Sequence, residues 1–455
     1  MALATNQTPT ATSQVRATAL DAQGNVYLVG SFSKTIQLGS TTLTANGLVD
    51  VFVAKWCPST NAFCWAQQAG GPGYEAVNAI AVTGTSVYIA GDFMGADVRF
   101  GPATLSKGSS NTGAFVAKLT DRGTTASFAW VQEAAGNKPS RCAIHALAVS
   151  GTSVYVAGEF WSAGLAFGRT LLASSPNKEA LGDLFVAKLT DEGATGRFAW
   201  AQRAGGSSRD EATGLAVAGN NVYVVGQTFS PTADFGSQRL TLTGYANSFV
   251  AKLRDAGQTG AFVWVQSSRD TDVNEATAVA VSGTNVYFTG SFRQTAQFGA
   301  TTLTSAGSSR TGDIFVAKLR DEGATGHFLW AQRAGDRGDE RPYGIAVSGT
   351  GVYLTGTFEH EHFNATTFGT TRLTSRGKGD MFVAKFTDEG LTASFSWVQQ
   401  AGGPGEEAAR TIVVTSRHVY IGGVFYGSST TFGRLSLPNP TAEQRGTGFL
   451  ASLAL

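Results

Sequence analysis

Residues 26–32 read Val-Tyr-Leu-Val-Gly-Ser-Phe, and this segment returns six more times along the 455-residue chain with small changes. Successive tyrosines of the copies are 61 to 68 residues apart. The tyrosines are Tyr27, Tyr88, Tyr155, Tyr223, Tyr287, Tyr353 and Tyr420. The chain is therefore one unit copied seven times, although its length alone would suggest about three domains of ordinary size.

Three further motifs accompany the tyrosine segment at steady distances. Ala-Ile-Ala-Val at residues 79–82 precedes it, and Phe-Val-Ala-Lys-Leu at 115–119 and Phe-Ala-Trp-Val-Gln at 128–132 follow it. All four motifs are short, rich in β-branched and aromatic residues, and bounded by Gly, Ser, Thr, Asn or Asp, which predicts β-strands. We name these strands A, B, C and D in chain order. No window has the apolar period of a capped helix.

Seven units of four strands predict an all-β fold, a single seven-bladed β-propeller domain with four antiparallel strands per blade. The strands are apolar on both faces, as expected where each blade packs between two others. The last unit lacks a D motif, so residues 2–8 are predicted to supply that strand and to close the ring. The predicted blades are residues 15–69, 77–133, 144–203, 212–267, 276–333, 343–400 and 409–455 together with 2–8.

The composition argues against several classes of protein. There are 34 basic and 33 acidic residues, a net charge of +1, and nucleic-acid-binding proteins usually carry a basic excess. No run of about 18 apolar residues is present, so no membrane-spanning helix is predicted. The 57 glycines fall mostly in turns and at strand ends.

The units resemble the bacterial SBBP repeat, the seven-bladed β-propeller type. The resemblance rests on Ala-Ile-Ala-Val, on Gly-x-x-Val-Tyr-x-x-Gly and on Phe-Val-Ala-Lys-Leu, and it covers nearly the whole chain. It implies a secreted or surface-attached bacterial propeller, often beside adhesion-type modules, and it implies no catalytic residues. We therefore expect an extracellular or cell-surface location, with a secretion signal already removed from this chain.

Residues that recur in most units are interpreted as structural. The clearest case is the lysine of strand C, whose ammonium group is expected to be paired or to reach the rim. Its copies are Lys55, Lys118, Lys188, Lys252, Lys318 and Lys385. Function is expected in the segments that differ between the units, and the connection between strands B and C varies most in length. The B–C and D–A loops emerge on one face of a propeller, so any ligand site is predicted there.

A loose ring of acids lies in the D–A loops, with arginines that include Arg209 and Arg341 between them. The acids are Glu75, Glu211, Glu275, Glu340 and Glu407. One interpretation is a polar site for a sugar, a peptide or a cation at the channel mouth; the other is a set of Glu–Arg pairs that brace neighbouring blades. Trp161 has no counterpart in the other units, and either stacks on a sugar ring or covers its own loop.

Calcium is the only cofactor that the sequence suggests. Asp270, Asp272 and Asn274 place oxygen ligands at alternate positions, as a calcium loop does, but without the glycine and the final glutamate of an EF-hand. His360 and His362 alternate in another loop and could face a metal ion. Cys57 and Cys64 flank a shortened hairpin, which makes them candidates for a disulfide.

The leading functional hypothesis is a non-catalytic extracellular recognition or adhesion scaffold, monomeric and not an enzyme. Its partner would be a protein or a glycan at the face with the B–C and D–A loops, and not a nucleic acid. No Ser/His/Asp set, Cys/His pair, phosphate loop or zinc spacing is found. Two alternatives stay open: a glycan-binding, lectin-like propeller, and a polysaccharide-active enzyme that uses carboxylates at the channel mouth.

Overall fold

The computed structural model describes residues 1–5, 10–107, 112–136, 141–161, 164–174, 181–307, 310–359, 365–441 and 445–455. Within these ranges every regular element is a β-strand, which confirms the all-β prediction. The described residues contain no helix that is long and apolar enough to span a membrane.

The four predicted motifs form strands in all seven repeats. The A strands are Thr12–Leu20, Tyr74–Thr83, Arg141–Ser150, Asp210–Ala218, Asn274–Ser282, Asp339–Ser348 and Glu407–Val414. The B strands are Val26–Ser33, Ser86–Met94, Ser153–Trp161, Asn221–Thr228, Asn285–Phe292, Gly351–Glu359 and His418–Phe425. The C strands are Asp50–Cys57, Thr112–Asp121, Asp183–Asp191, Asn247–Asp255, Asp313–Asp321, Gly379–Asp388 and Thr447–Ala454. The D strands of the first six repeats are Ala62–Ala69, Ala126–Gly136, Gly196–Gly206, Gly260–Ser267, Gly326–Ala334 and Ala393–Gly402.

Each repeat also inserts a short hairpin between strands B and C. The hairpins are Thr35–Leu38 with Thr41–Thr44, Val98–Phe100 with Ala103–Leu105, Leu165–Phe167 with Thr170–Leu172, Thr232–Phe235 with Gln238–Thr241, Thr295–Phe298 with Thr301–Thr304, Ala365–Phe368 with Thr371–Thr374, and Ser429–Phe432 with Leu435–Pro438. Several of them pair with the end of the preceding repeat, as Ala204 does with Phe235. The short strand Arg269–Asp270 pairs with the fifth hairpin in the same way.

Within a repeat, strands A, B, C and D pair antiparallel in that order, as in the first repeat. The fourth strand of the last repeat is Ala2–Ala4 at the N-terminus, where Ala4 lies opposite Phe449. The A strands of successive repeats contact one another, and the seventh contacts the first. Thr18 Oγ1 and Thr411 Oγ1, 2.8 Å apart, join these two. The A strands begin two to four residues before the predicted starts of the blades. Most of these first residues are polar, but they pair with strand B.

The recurrent lysines pair across the junctions between repeats. In the first repeat Tyr27, Lys55 and Trp65 form one row across strands B, C and D. All three donate to Asp121, the last residue of the next C strand, over 2.6, 2.7 and 3.0 Å. The same network forms around Asp191, Asp255, Asp321 and Asp388. The first five lysines are therefore structural, as predicted, and each aspartate joins two repeats. The sixth, Lys385, lies over the Tyr353 ring, 5.5 Å from its centre.

Candidate functional site

A one-residue bulge in each A strand decides which side chains line the inner edge of the ring. The register skips one residue, such as Arg16 between Val15 and Ala17. Five residue types occupy this position in the seven repeats, and only Arg410 with Arg16 and Thr213 with Thr277 are alike in adjacent repeats: Arg16, Asn78, His145, Thr213, Thr277, Tyr343 and Arg410. This position therefore varies while the fold around it stays constant.

The predicted ring of acids separates into two groups. Glu75, Glu340 and Glu407 lie three residues before the bulge and are at most 1% exposed, so they face the junctions between repeats and not the channel mouth. Glu211 and Glu275 lie two residues before the bulge, on the opposite side of the strand. Alternate residues of a strand face opposite ways, so a difference of one position turns the side chain to the other face. All five glutamates lie at similar distances from their tyrosines, and the sequence therefore does not separate the two groups.

Glu211 belongs to a cluster at the start of the third and fourth A strands. Arg209 Nε and Nη2 donate to the two carboxylate oxygens of Glu159 over 3.2 and 3.3 Å, and Nη2 donates to Glu211 over 2.5 Å. The Nε2 atom of His145 lies 3.5 Å from Glu159, and Gln227 donates to Glu211. Glu159 and Glu211 are 4% and 8% exposed. One guanidinium thus bridges two buried carboxylates, and one of them, Glu159, lies in a B strand that carries no sequence signal for a site.

The pKa values of these two carboxyls shift in opposite directions. Burial and the charge of Glu159 raise the pKa of Glu211. Burial also opposes ionisation of Glu159, but hydrogen bonds from His145 and Arg209 outweigh it and lower its pKa. Two neighbouring carboxyls with separated pKa values can act as an acid and an ionised partner.

Trp161 packs beside this cluster. The guanidinium groups of Arg141 and Arg209 each lie 5.7 Å from its ring centre, and the indole lies against Gly182. The ring therefore lies between two arginines and against the glycine that precedes strand C of its own repeat.

A groove runs outward from Arg209 along the fourth repeat. Its lining residues are Ser208, Arg209, Phe229, Pro231, Leu242, Thr243, Gly244 and Tyr245. The Tyr245 side chain is 72% exposed and makes an edge contact with Phe229, with 5.8 Å between the ring centres. We call this the Tyr245 groove. Tyr245 could not be predicted as a site residue, because a single tyrosine in a loop carries no pattern.

Positive charge gathers on the other side of the ring. Burial and the neighbouring charge of Arg410 lower the pKa of Arg16, so these two guanidinium groups from the first and seventh repeats lie close together. Arg410 also lies over the Tyr343 ring at 5.3 Å. Arg341, by contrast, pairs with Asp339 over 2.7 Å. The arginines therefore do not alternate regularly with the acids.

The three residues of the predicted calcium loop do not converge. Asp270 is 3% exposed and accepts hydrogen bonds from Ser268 over 2.5 Å and from Asn274 over 3.1 Å. Asp272 turns outward, where Gln294 donates to it over 2.9 Å. Within the described ranges no three His, Cys, Asp or Glu side chains form a group that could hold a metal ion. His360 and His362 lie outside the described residues.

Cys57 and Cys64 form a disulfide across the first C–D hairpin, with 6.0 Å between their Cα atoms. Cys142 is free and buried. The disulfide lies at the C–D turn of the first repeat, whereas Glu211 lies in the A strand of the fourth, so it takes no part in the cluster.

Comparison with known proteins gives structural similarity only. No family model matches the chain, and no curated protein does. Similar solved structures include the endosialidase of phage phi92, at 11% identity over 100% of this chain and 69% of that chain with a TM-score of 0.44. The parainfluenza virus 5 hemagglutinin-neuraminidase ectodomain is 8% identical over 99% of this chain and 82% of that chain, with a TM-score of 0.38. Trypanosoma rangeli sialidase in complex with sialic acid is 11% identical over 98% of this chain and 59% of that chain, with a TM-score of 0.37.

These comparisons correct one prediction. The similar structures are named as a sialidase, a neuraminidase and an endosialidase, which are glycan-cleaving enzymes, and they contradict the prediction that the chain is not an enzyme. They also give no support to a non-catalytic adhesion scaffold. Their names describe those proteins, and what this chain does has to be argued from its own residues.

Proposed function

We propose that the chain is a closed seven-bladed propeller of SBBP-type repeats that binds a glycan in the Tyr245 groove and at the adjoining Glu159–Glu211 cluster. The strand pairing of the seven repeats and of Ala2–Ala4 supports the ring. The recurring motifs support the repeat type. The Cys57–Cys64 disulfide supports an oxidising, extracellular compartment.

One observation carries the glycan proposal: an exposed aromatic ring and a buried carboxylate pair share Arg209. Sugars present apolar ring faces and many hydroxyl groups, so their sites combine aromatic platforms with charged hydrogen-bonding side chains. Tyr245 provides the platform, since its ring is 72% exposed. Arg209 lines the same groove and donates to both glutamates, which places charged groups at the end of the platform.

A panel of glycans measured by titration calorimetry tests this proposal. We expect saturable binding of one glycan class and a loss of about tenfold in affinity in Tyr245→Ala, equivalent to about 1.4 kcal/mol. Leu391→Ala is the matched control, because Leu391 is 67% exposed in a C–D turn on the opposite face. Binding that survives Tyr245→Ala, or that Leu391→Ala weakens equally, would count against the groove, and no binding to any glycan would refute the proposal.

The opposed pKa shifts of Glu159 and Glu211 favour a second function, hydrolysis of the bound glycan. A glycosidase needs one carboxyl that keeps its proton for the leaving group and one that is ionised. Burial and the charge of Glu159 raise the pKa of Glu211, whereas hydrogen bonds from His145 and Arg209 lower the pKa of Glu159. Glu211 would be the acid, and Glu159 the nucleophile or the base.

Reducing-end release from the glycan that binds best tests hydrolysis. We expect Glu211→Gln to abolish turnover and to leave binding nearly unchanged. Glu275→Gln is the control, because Glu275 occupies the same strand position in the next repeat, outside the bridged pair. A wild-type protein that binds but never cleaves would refute hydrolysis and leave the binding proposal standing.

A further inference from the structure

Buried residues at the junctions between repeats match in charge. One residue of each junction lies two positions before the phenylalanine of strand C. It faces a residue of the next repeat, three positions before the bulge in strand A. The junction pairs, in chain order, are Asp50 with Glu75, Gly113 with Cys142, Asp183 with Asp210, Asn247 with Asn274, Asp313 with Glu340, Asp380 with Glu407 and, between the last repeat and the first, Thr447 with Ser13. At four junctions an acid thus faces an acid. At the other three the two residues of the pair are neutral, although Asn274 also donates to the buried Asp270 over 3.1 Å.

Each acidic pair sits on one glycine-rich turn. A Cβ atom on Gly335 would lie 2.7 Å from the Asp313 carboxyl carbon and 2.8 Å from Glu340 Oε2. At the first junction the Asp50 carboxyl lies against Gly70, and the amide of Gly71 donates to Glu75 over 3.0 Å. The two carboxylates of a pair therefore lie side by side.

Two of the four acidic pairs have a basic partner inside the chain. Arg203, opposite Phe185 in strand D, pairs with Asp183 over 3.1 Å. Arg333, opposite Phe315, pairs with Asp313. At these two junctions a guanidinium group balances the aspartate.

The other two pairs have glutamine in place of the arginine. Gln68 lies opposite Phe52 and Gln400 opposite Phe382, and each donates to the nearby aspartate, Asp50 or Asp380. A neutral amide balances no charge. Among the described residues no salt bridge reaches Asp50, Glu75, Asp380 or Glu407, and all four are fully buried.

Three of the four carboxyl groups at these two junctions have an oxygen without a hydrogen-bond donor, as Glu340 also has at an arginine-balanced junction. Asp50 Oδ1 and Glu75 Oε1 are buried and have no partner in the described structure. Neither oxygen of Glu407 makes a hydrogen bond of normal geometry, although the amides of Gly403 and Gly405 face it. Ionised carboxylates buried in this way are costly unless a cation pairs with them.

We propose that the Asp50–Glu75 and Asp380–Glu407 pairs each bind a calcium ion. The ion balances the negative charge at these two junctions, as Arg203 and Arg333 do at the other two. Calcium prefers carboxylate and carbonyl oxygens and accepts irregular geometry and water ligands, so two carboxylates and the surrounding turns suit it. The proposal is independent of glycan binding.

Calcium titration of the full chain tests the proposal. After removal of metal with EGTA and dialysis at pH 7.5, we expect CaCl2 to raise Tm, because a ligand of the folded state stabilises it, and calorimetry to show two ions per chain. Gln68→Arg should remove one of the two ions, and Gln68→Arg with Gln400→Arg should remove both and the Tm response. Arg203→Gln should create a third site.

Three results would overturn the proposal. One is a Tm that does not change on addition of CaCl2 but rises as the pH falls from 8.5 to 6, since protons would then neutralise the pairs. Another is an undiminished calcium response in the double arginine variant, which would place calcium elsewhere. Should that variant not fold, Asp50→Asn with Glu75→Gln removes both carboxylates of the first junction, and retention of both ions in it would be the third.

Discussion

At the scale of single residues, the aspartate that ends strand C shows what one sequence can and cannot reveal. The recurrence of the lysine predicted a paired, structural ammonium group, and Lys252 is 2% exposed and donates to Asp321 over 2.6 Å. The aspartate was not recognised, because aspartate before a glycine is typical of a turn. Its donors lie in the preceding repeat, 57 to 98 residues away for Asp321, and no local pattern connects them.

Replacement of Asp321 by asparagine should be strongly destabilising. Asp321 accepts hydrogen bonds from Tyr223, Lys252 and Trp264 over 2.6, 2.6 and 3.1 Å, and its loss leaves a buried ammonium group without a counter-charge. We expect a fall of about 3 kcal/mol in the free energy of unfolding, measured by urea titration. Asp234→Asn breaks the exposed Arg239–Asp234 pair and should leave the urea midpoint unchanged. Equal effects of the two variants would contradict this prediction.

The same carboxylates should make stability depend on pH in acid. Burial opposes ionisation of Asp321, but hydrogen bonds from Lys252, Tyr223 and Trp264 outweigh it and lower its pKa. An aspartate with a lowered folded pKa stabilises the protein above its unfolded pKa of about 4, and this contribution is lost as the pH falls through the folded pKa. The difference in urea midpoint between wild type and Asp321→Asn should therefore be constant from pH 6 to 5 and shrink towards pH 2.5. A constant difference over the whole range would refute it.

At the scale of strands, the A strand explains why the predicted acid ring was incomplete. Glu75 and Glu211 lie at nearly equal distances before their tyrosines, 13 and 12 residues, and a shift of one residue turns a side chain to the opposite face of a strand. Glu75 is consequently buried at a junction, while Glu211 reaches the inner edge. The residues of each segment predicted that it forms a strand. They did not predict which side chains face each side of strand A, because the bulge that sets this register has no sequence signal here.

The N-terminal strand should be required for full stability. Ala2–Ala4 is the outermost strand of the last repeat, and Thr5 adds hydrogen bonds to Gly448 and Ser13 over 3.1 and 2.9 Å. Deletion of residues 1–5 leaves the edge of Thr447–Ala454 unpaired and uncovers Leu450, which is fully buried. We expect a lower Tm and binding of a hydrophobic dye.

A matched control for the deletion is Leu3→Ala, which keeps the backbone pairing of this strand and removes only its partly buried side chain. It should lower Tm by a smaller amount than the deletion. A deletion that leaves Tm and dye binding as in the wild type would mean that the strand does not close the last repeat.

At the scale of the whole molecule, the two ends of the sheets have different tasks. The Tyr–Lys–Trp–Asp networks repeat at one end, where strands B and D begin. The Glu159–Glu211 cluster and the Tyr245 groove lie at the other end, where the B–C and D–A loops emerge. Repetition made the first end predictable from the sequence. The second combines unlike residues of the third and fourth repeats, and only folding brings Glu159, Arg209 and Tyr245 together.

This separation predicts that function and stability can be altered independently. Tyr245→Ala should weaken glycan binding without a change in the urea midpoint, since its ring is 72% exposed. Asp321→Asn should lower the midpoint without a change in affinity, measured where the protein is still fully folded. Sites that share no partners have additive effects, so the double variant should show both changes at the size seen in the single variants. A double variant that binds more weakly than Tyr245→Ala would show that the junction networks also shape the loop-bearing face, contrary to a rigid scaffold with its function confined to one side.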